Sequence, residues 1–163
     1  RGFLERIPYK GTNVRPFTIK EVIDYQRVRG RLELMAIEMT EESLFYKKID
    51  VTYLNEILQQ MLVCSKNNDY KGRTYYDHKF HKHIIIAADN HSLLTAWESL
   101  GNYYWSYVWM YLNVDTLYRR TIKHKDILDA LKVKDKARLI PSVEDHFSAL
   151  ENLLSVEIQK VLT

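Results

Sequence analysis

The sequence predicts an all-α protein, an antiparallel bundle of about six to seven helices. Apolar residues recur every three or four positions through most of the chain, which is the spacing of one buried helix face. Only five Gly and three Pro occur among 163 residues, which is little turn material for an all-β fold. A content of 46% hydrophobic and 28% charged residues is ordinary for a globular domain with one core.

Charge, cysteine content and hydropathy exclude several classes of protein. Lys and Arg total 24 and Asp and Glu total 21, and a net charge of +3 does not by itself indicate a nucleic-acid partner. Cys64 is the single cysteine, so no intrachain disulfide can form and a cytoplasmic location is expected. Apolar runs such as Ile84 to Ala88 are far shorter than the roughly 20 residues that span a membrane, so no membrane partner is expected.

The first 17 residues differ in composition from the rest of the chain. They hold two of the three prolines and two of the five glycines, and they predict two short extended segments around a turn near Lys10–Gly11. Helical signals begin at Thr18, which has the spacing of a capping box with Glu21. The sequence therefore predicts a boundary between residues 1–17 and a helical domain over residues 18–163.

Six helical segments are predicted after this boundary, each bounded by a turn-forming residue or a break in the apolar spacing. Their approximate ranges are Thr18 to Met39, Asp50 or Thr52 to Leu62, Asp69 to Asp89, His91 to Asn113, Asp115 to Lys132, and Lys134 to Leu162 with a kink or restart at Pro141. The connections between them are short, which indicates antiparallel neighbours in a bundle.

The fourth of these segments carries a stripe of large aromatic residues. A stripe of this kind is typical of a core and a dimer interface, because Tyr and Trp combine an apolar body with a polar tip. A role in lining a ligand site for one or two of them is the alternative. The residues are Trp97, Tyr103, Tyr104, Trp105, Tyr107, Trp109 and Tyr111.

Asp77 and His81 are the first candidates for chemistry. They are four residues apart, so on a helix they share one face. Three apolar residues lie near the same stripe and direct it toward the core, namely Ile84, Ile85 and Ala88. A carboxylate and an imidazole in this arrangement can chelate a metal, pair with each other in the core, or form an exposed pair. The spacing alone leaves these alternatives open.

Two further histidines lie beside apolar helix faces. His124 and His146 belong to the fifth and sixth predicted helices, and a lone histidine in such a place is either a hydrogen-bonded core residue or a ligand. The remaining histidines lie on other faces or next to a helix break, and they are not expected to be ligands. These are His78, His83 and His91.

The order and spacing of these residues resemble a known family. The chain resembles the FCD effector-binding domain of GntR-family transcription regulators in six elements. These are Asp77-x-x-Phe80-His81, Asn90, His124-x-x-Ile127-Leu128-x-Ala130, Asp135 with Ala137, His146, and Arg29-x-x-Leu32-Glu33. The resemblance covers about residues 18–162. The opening Pro8–Tyr9–Lys10–Gly11–Thr12–Asn13–Val14 resembles the wing hairpin of that family's winged helix-turn-helix domain. Its recognition helix would lie upstream of Arg1, so the chain is expected to be a piece of a longer protein.

This resemblance implies a ligand-responsive transcription regulator and not an enzyme. It implies a divalent metal held by Asp77, His81, His124 and His146. Three imidazoles and one carboxylate suit Zn²⁺ or Ni²⁺, and Mn²⁺ is also compatible. The metal would anchor a small carboxylate effector. Arg29 would face the effector cavity, or alternatively pair with Glu33, its i+4 neighbour.

The resemblance also implies macromolecular partners. The domain would form a homodimer and control DNA binding by the attached winged helix. The wing residues expected near DNA are Lys10, Gly11, Thr12 and Arg15. Two other functions are compatible with the pattern: a metal-free acyl-CoA-type effector domain, and a metal-dependent hydrolase. The hydrolase is disfavoured because the chain has no His-Glu-x-x-His motif to supply a general base.

Overall fold

The computed structural model describes residues 4–7, 11–14, 18–101 and 114–162. These residues form a two-stranded hairpin followed by a helical bundle, which confirms the predicted all-α class. The strands are β1 (Leu4–Ile7) and β2 (Gly11–Val14). Within the described ranges the helices are α1 (Ile19–Met39), α2 (Glu42–Lys48), α3 (Val51–Lys66), α4 (Tyr70–Ala87), α5 (His91–Leu100), α6 (Val114–Ile122), α7 (His124–Val133) and α8 (Lys136–Leu162).

The hairpin lies where two extended segments are predicted. Strands β1 and β2 are antiparallel, with Leu4 opposite Val14 and Ile7 opposite Gly11. Gly11 and Thr12 therefore open β2. Two of the wing residues singled out from the sequence, Lys10 and Arg15, lie outside the described residues.

Polar residues at the N-caps fix where several helices begin. Thr18 and Glu21 form the predicted capping box, in which the Thr18 amide donates to Glu21 Oε2 at 2.9 Å and the Glu21 amide donates to Thr18 Oγ1 at 3.2 Å. Side chains of Asp50, Asp69 and Asn90 accept backbone N–H groups at the starts of α3, α4 and α5. Local sequence signals are therefore sufficient to place these helix starts.

The structure corrects three details of the predicted helices. Helix α2 was not predicted, because seven residues are too few to show a period, yet its Phe45 and Tyr46 are buried. The predicted fifth helix is two helices, α6 and α7, separated at Lys123. Helix α8 continues through Pro141, so no second helix begins there.

The predicted fourth helix is also shorter than expected. Helix α5 ends at Leu100, and Gly101 follows with a φ of 71°, a left-handed conformation that glycine adopts at little cost. Residues 102–113, which carry most of the predicted aromatic stripe, lie outside the described part of the chain. Trp97 is buried on α5, in a cluster with Ala36, Ile85 and Leu93.

The main core lies between α1, α3, α4, α7 and α8. Its fully buried side chains include Leu54, Met61, Phe80, Ile84 and Ile127. Charged and polar side chains from α1, α4, α6, α7 and α8 are buried beside this apolar cluster. In the described residues, no helix is long and apolar enough to cross a membrane.

Candidate metal centre

Three helices bring three histidines to one point inside the bundle. His81 of α4, His124 of α7 and His146 of α8 each offer one ring nitrogen, and the three nitrogens lie within 4.8 Å of one another. The ring centroids are 4.3 to 5.1 Å apart, and all three side chains are buried. The sequence singled out all three residues, and the fold places them together.

Hydrogen bonds orient two of these rings. His81 Nδ1 lies 2.6 Å from Glu33 Oε2, and His124 Nδ1 lies 2.9 Å from the Thr121 carbonyl oxygen. A carboxylate and a carbonyl can only accept, so Nδ1 is the donor in each ring and Nε2 is the nitrogen left to face a metal. This is the arrangement that outer-shell partners give to metal-binding histidines.

The Nε2 atoms of the two rings face each other. His81 Nε2 and His124 Nε2 are 3.2 Å apart. Without a proton between them these atoms repel, whereas two nitrogen ligands held by one tetrahedral Zn²⁺ at about 2.0–2.1 Å would lie about 3.3 Å apart. The donor set and its spacing therefore fit a divalent cation.

The Asp77 carboxylate adjoins the three histidines and also contacts two buried arginines. Its Oδ1 is 3.3 Å from His124 Nε2 and 3.3 Å from Arg73 Nη1, and its Oδ2 is 3.3 Å from Arg29 Nη2. Burial alone would raise the pKa of Asp77, but Arg73, His124, His81 and Arg29 together hold this pKa well below the ordinary value. Asp77 is therefore an ionised carboxylate beside the three histidines.

Arg29 makes the ion pair with Glu33 that the sequence suggested as one of its two roles. Its Nε is 3.4 Å from Glu33 Oε1, and the guanidinium lies over the Trp97 ring at 5.2 Å. Arg29 also contacts Asp77, so two buried carboxylates hold it. Its expected contact with an effector stays a prediction, although Arg29 lines the cavity beside the cluster.

A small cavity lies next to the histidines. Arg120 lines it and donates from Nη2 to the His146 carbonyl oxygen at 2.7 Å. Burial, followed by the nearby charge of Arg73, lowers the pKa of Arg120 to about 10, so Arg120 is still a cation at neutral pH. The lining residues are Gln26, Arg29, Asp77, His81, Arg120, His146, Phe147 and Leu150.

Sequence reasoning missed Gln26, Arg73 and Arg120. Arg73 lies one helical turn before Asp77, and this i, i+4 spacing of opposite charges is a signal that could have found it. Arg120 has no such signal, because it follows Arg119, an exposed residue of the same type. Only the packing of α6 against its neighbours distinguishes the two arginines.

The other histidines lie outside the cluster. His78 packs against Trp97 with ring centroids 4.7 Å apart. His83 Nε2 accepts the backbone N–H of Asp50 at 2.9 Å, and burial lowers the pKa of His83. His91 is the first residue of α5.

The buried histidines predict a sensitivity of the metal-free protein to acid. Burial lowers the pKa of His124 to about 4, and burial together with the other two histidines lowers that of His146 well below its ordinary value. Below about pH 6.5 the unfolded chain binds protons that the folded chain excludes. We expect the free energy of unfolding to fall as pH drops from about 6.5 toward 4, by about 1.4 kcal/mol per pH unit for each such histidine.

Urea unfolding of chelator-treated protein at pH 7, 6 and 5 measures this slope. In a His124→Asn variant the slope of the unfolding free energy against pH should be shallower by the contribution of one titrating group. His91→Gln, at an exposed position on α5, should leave the slope unchanged. Equal slopes in all three proteins would contradict the neutral, buried state of His124.

The fold and the site together define a helical-bundle domain with a buried three-histidine centre beside a small polar cavity. The FCD domain family matches residues 24–149. The chain belongs to this family, which confirms the resemblance drawn from its sequence.

Curated relatives support this assignment. The chain is 27% identical over 157 residues to the gluconate operon transcriptional repressor of Bacillus subtilis (strain 168), covering 90% of this chain and 62% of that protein. It is 25% identical over 148 residues to the probable D-xylose utilization operon transcriptional repressor of Paenarthrobacter nicotinovorans, covering 91% and 64%. The chain thus spans a little less than two thirds of these relatives, which are transcriptional repressors and not enzymes.

Solved structures show the same fold. Escherichia coli McbR/YncC aligns with a TM-score of 0.76 at 19% identity, over 95% of this chain and 74% of that one. A GntR-family transcriptional regulator from Pseudomonas syringae pv. tomato aligns with a TM-score of 0.65 at 15% identity, over 96% and 65%.

Proposed function

We propose that this chain is the sensing part of a ligand-responsive transcription regulator of the GntR family, and that it binds a divalent metal through His81, His124 and His146. One observation carries the proposal: the Nε2 atoms of His81 and His124 face each other at 3.2 Å while each Nδ1 is already occupied. Nitrogen-rich ligands favour Zn²⁺ or Ni²⁺, and Mn²⁺ is compatible.

Asp77 is the proposed fourth ligand. Its Oδ1 lies beside His124 Nε2, and its pKa, which Arg73 and the other neighbouring cations hold well below the ordinary value, keeps it ionised at neutral pH. Arg29 and Arg73 hold the carboxylate in place from the other side. One negative charge among three neutral imidazoles would leave a bound divalent ion with a formal charge near +1.

The effector is a small carboxylate that binds beside the histidines, where the cavity of about 10 Å³ would have to widen to admit it. A bound metal supplies a Lewis-acid site for such an anion. The chain itself supplies the rest: Glu33 and Thr121 fix the rings, and Arg29 and Arg120 line the cavity with positive charge. Because the groups are buried, an anion that binds here is attracted more strongly than it would be in water.

Control of DNA binding is the proposed output. In support, a β-hairpin precedes α1 as a wing would precede its linker, and the curated relatives are transcriptional repressors. Lys10, Gly11, Thr12 and Arg15 would lie near DNA, in a cytoplasmic homodimer. The effector would shift DNA affinity by binding one arrangement of the dimer more tightly than another.

Elemental analysis of the chain purified without added metal tests the metal site. We expect close to one equivalent of a transition metal, and we expect chelator-treated protein to regain its thermal stability when Zn²⁺ or Ni²⁺ is added. Protein that carries no metal and gains no stability from either ion would contradict the proposal and would favour the metal-free acyl-CoA-type alternative.

A further inference from the structure

The three histidines of the candidate metal centre have almost no contact with solvent. His81, His124 and His146 are 1%, 0% and 5% exposed. The cavity beside them has a volume of about 10 Å³, which is room for about one water molecule. A hydrated divalent ion is larger than this space. A metal can therefore reach the histidines only if side chains move aside or the chain unfolds.

A larger groove lies outside this cavity, between α1 and α8. The groove has a volume of about 450 Å³ and is open to solvent. Gln26 of α1 and Phe147 of α8 line both the groove and the inner cavity. These two side chains therefore lie between the groove and the histidines.

The Phe147 ring closes the inner end of the groove. Phe147 is 8% exposed, and its ring centroid lies 5.5 Å from that of His81 and 5.1 Å from that of His146. On its other side the ring packs against α1 at Gly30, where an added Cβ would lie 2.9 Å from Phe147 Cγ. The ring thus occupies the space between the α1 backbone and two of the histidines.

An ion pair joins the two walls of the groove farther out. Arg27 Nε of α1 donates to Glu151 Oε2 of α8 at 3.1 Å, and the two side chains are 60% and 30% exposed. Exposed pairs contribute little to stability, whereas the burial of an aromatic ring contributes more. Displacement of Phe147 is therefore the main obstacle between the groove and the histidines.

We propose that a divalent metal enters and leaves the histidine centre through the groove between α1 and α8, and that Phe147 controls the rate of this exchange. The ring turns aside while the helices stay folded. Because entry and exit cross the same barrier, a smaller side chain speeds both by the same factor and leaves the affinity nearly unchanged. The inference rests on the proposed metal site and adds the path by which a metal reaches it.

Stopped-flow mixing of the chelator-treated chain with Co²⁺, which absorbs visible light when nitrogen ligands bind it, measures entry. Transfer of Co²⁺ from the loaded chain to an excess of a chelator measures exit. We expect Phe147→Leu to speed both rates about tenfold or more, while the dissociation constant changes less than about threefold. Phe147→Met keeps most of the volume in a more flexible side chain, and it should also speed both rates.

Phe45→Leu is the matched control. Phe45 is 2% exposed and belongs to the main core, but it lines neither the groove nor the inner cavity. This change removes a buried aromatic ring and lowers the stability of the fold, as Phe147→Leu does. It should leave both exchange rates unchanged. Equal acceleration in the two variants would show that the metal exchanges through unfolding and would contradict the proposed path.

The other outcomes separate this inference from the proposed function. If Phe147→Leu exchanges metal as slowly as the unaltered chain, the path lies elsewhere and the metal site stands. Faster exit without faster entry would show that Phe147 only stabilises the bound state, which also contradicts the inference. If the unaltered chain binds neither Co²⁺ nor Zn²⁺, the proposed function and this inference fail together.

Discussion

His146→Leu is expected to abolish zinc binding while leaving the metal-free protein as stable as before, or more stable. The His146 Nδ1 atom is buried and has no hydrogen-bond partner among the described residues, so an apolar side chain of similar size removes a desolvated polar group without breaking a bond seen there. The same change removes one of the three nitrogens that define the candidate metal centre.

Thermal unfolding with and without zinc measures both effects. At zinc concentrations 100-fold above the dissociation constant, the unaltered chain should gain about 2.7 kcal/mol and His146→Leu should gain nothing. His83→Gln is the control, because His83 is on the same helix as His81 but outside the cluster, and it should keep the full gain. Zinc stabilisation of His146→Leu equal to that of the unaltered chain would exclude His146 as a ligand.

Asp77→Asn is expected to destabilise the metal-free protein by about 3–5 kcal/mol, the largest effect anticipated for a single charge. Asp77 holds two buried arginines, Arg29 and Arg73, and its loss leaves their charges without this partner in the core. Since a domain of this size has a total stability of roughly 5–15 kcal/mol, the variant should unfold at a much lower urea concentration.

The matched control is Asp145→Asn. Asp145 also pairs with a cation, Lys123 at 3.0 Å, but its side chain is 57% exposed, whereas that of Asp77 is 6% exposed. An exposed pair contributes about 0–1 kcal/mol, so this variant should unfold close to the unaltered chain. Similar midpoints for Asp77→Asn and Asp145→Asn in metal-free urea titrations would show that Asp77 does not hold the buried arginines.

Helix positions could be predicted where the signal is local. Thr18, Asp50, Asp69 and Asn90 act as caps within three residues of the groups they bond, so a short stretch of sequence contains the whole interaction. The break between α6 and α7 has no comparable signal. It coincides with the hydrogen bond between the His124 ring and the Thr121 carbonyl. That bond depends on the orientation of the His124 ring, which is set by the packing of the core.

The candidate site could be predicted only in part. The spacing of Asp77 and His81 placed them on one inward face, and His124 and His146 were placed beside apolar faces of their own helices. Periodicity cannot show that the faces of three helices meet at one point, because His124 and His146 are 43 or more positions away from His81 in sequence. The resemblance to a family supplied that step before the structure did.

The helical class, the helix starts and the types of side chain in the core follow from the order of the residues. The pairing of the buried charges depends on how the helices pack. This packing places Glu33 against His81, encloses Arg120 while leaving Arg119 exposed, and aims two Nε2 atoms at each other. The physical reason is that propensity, capping and periodicity act within one or two helical turns, whereas Coulomb pairing and desolvation depend on which helices pack together.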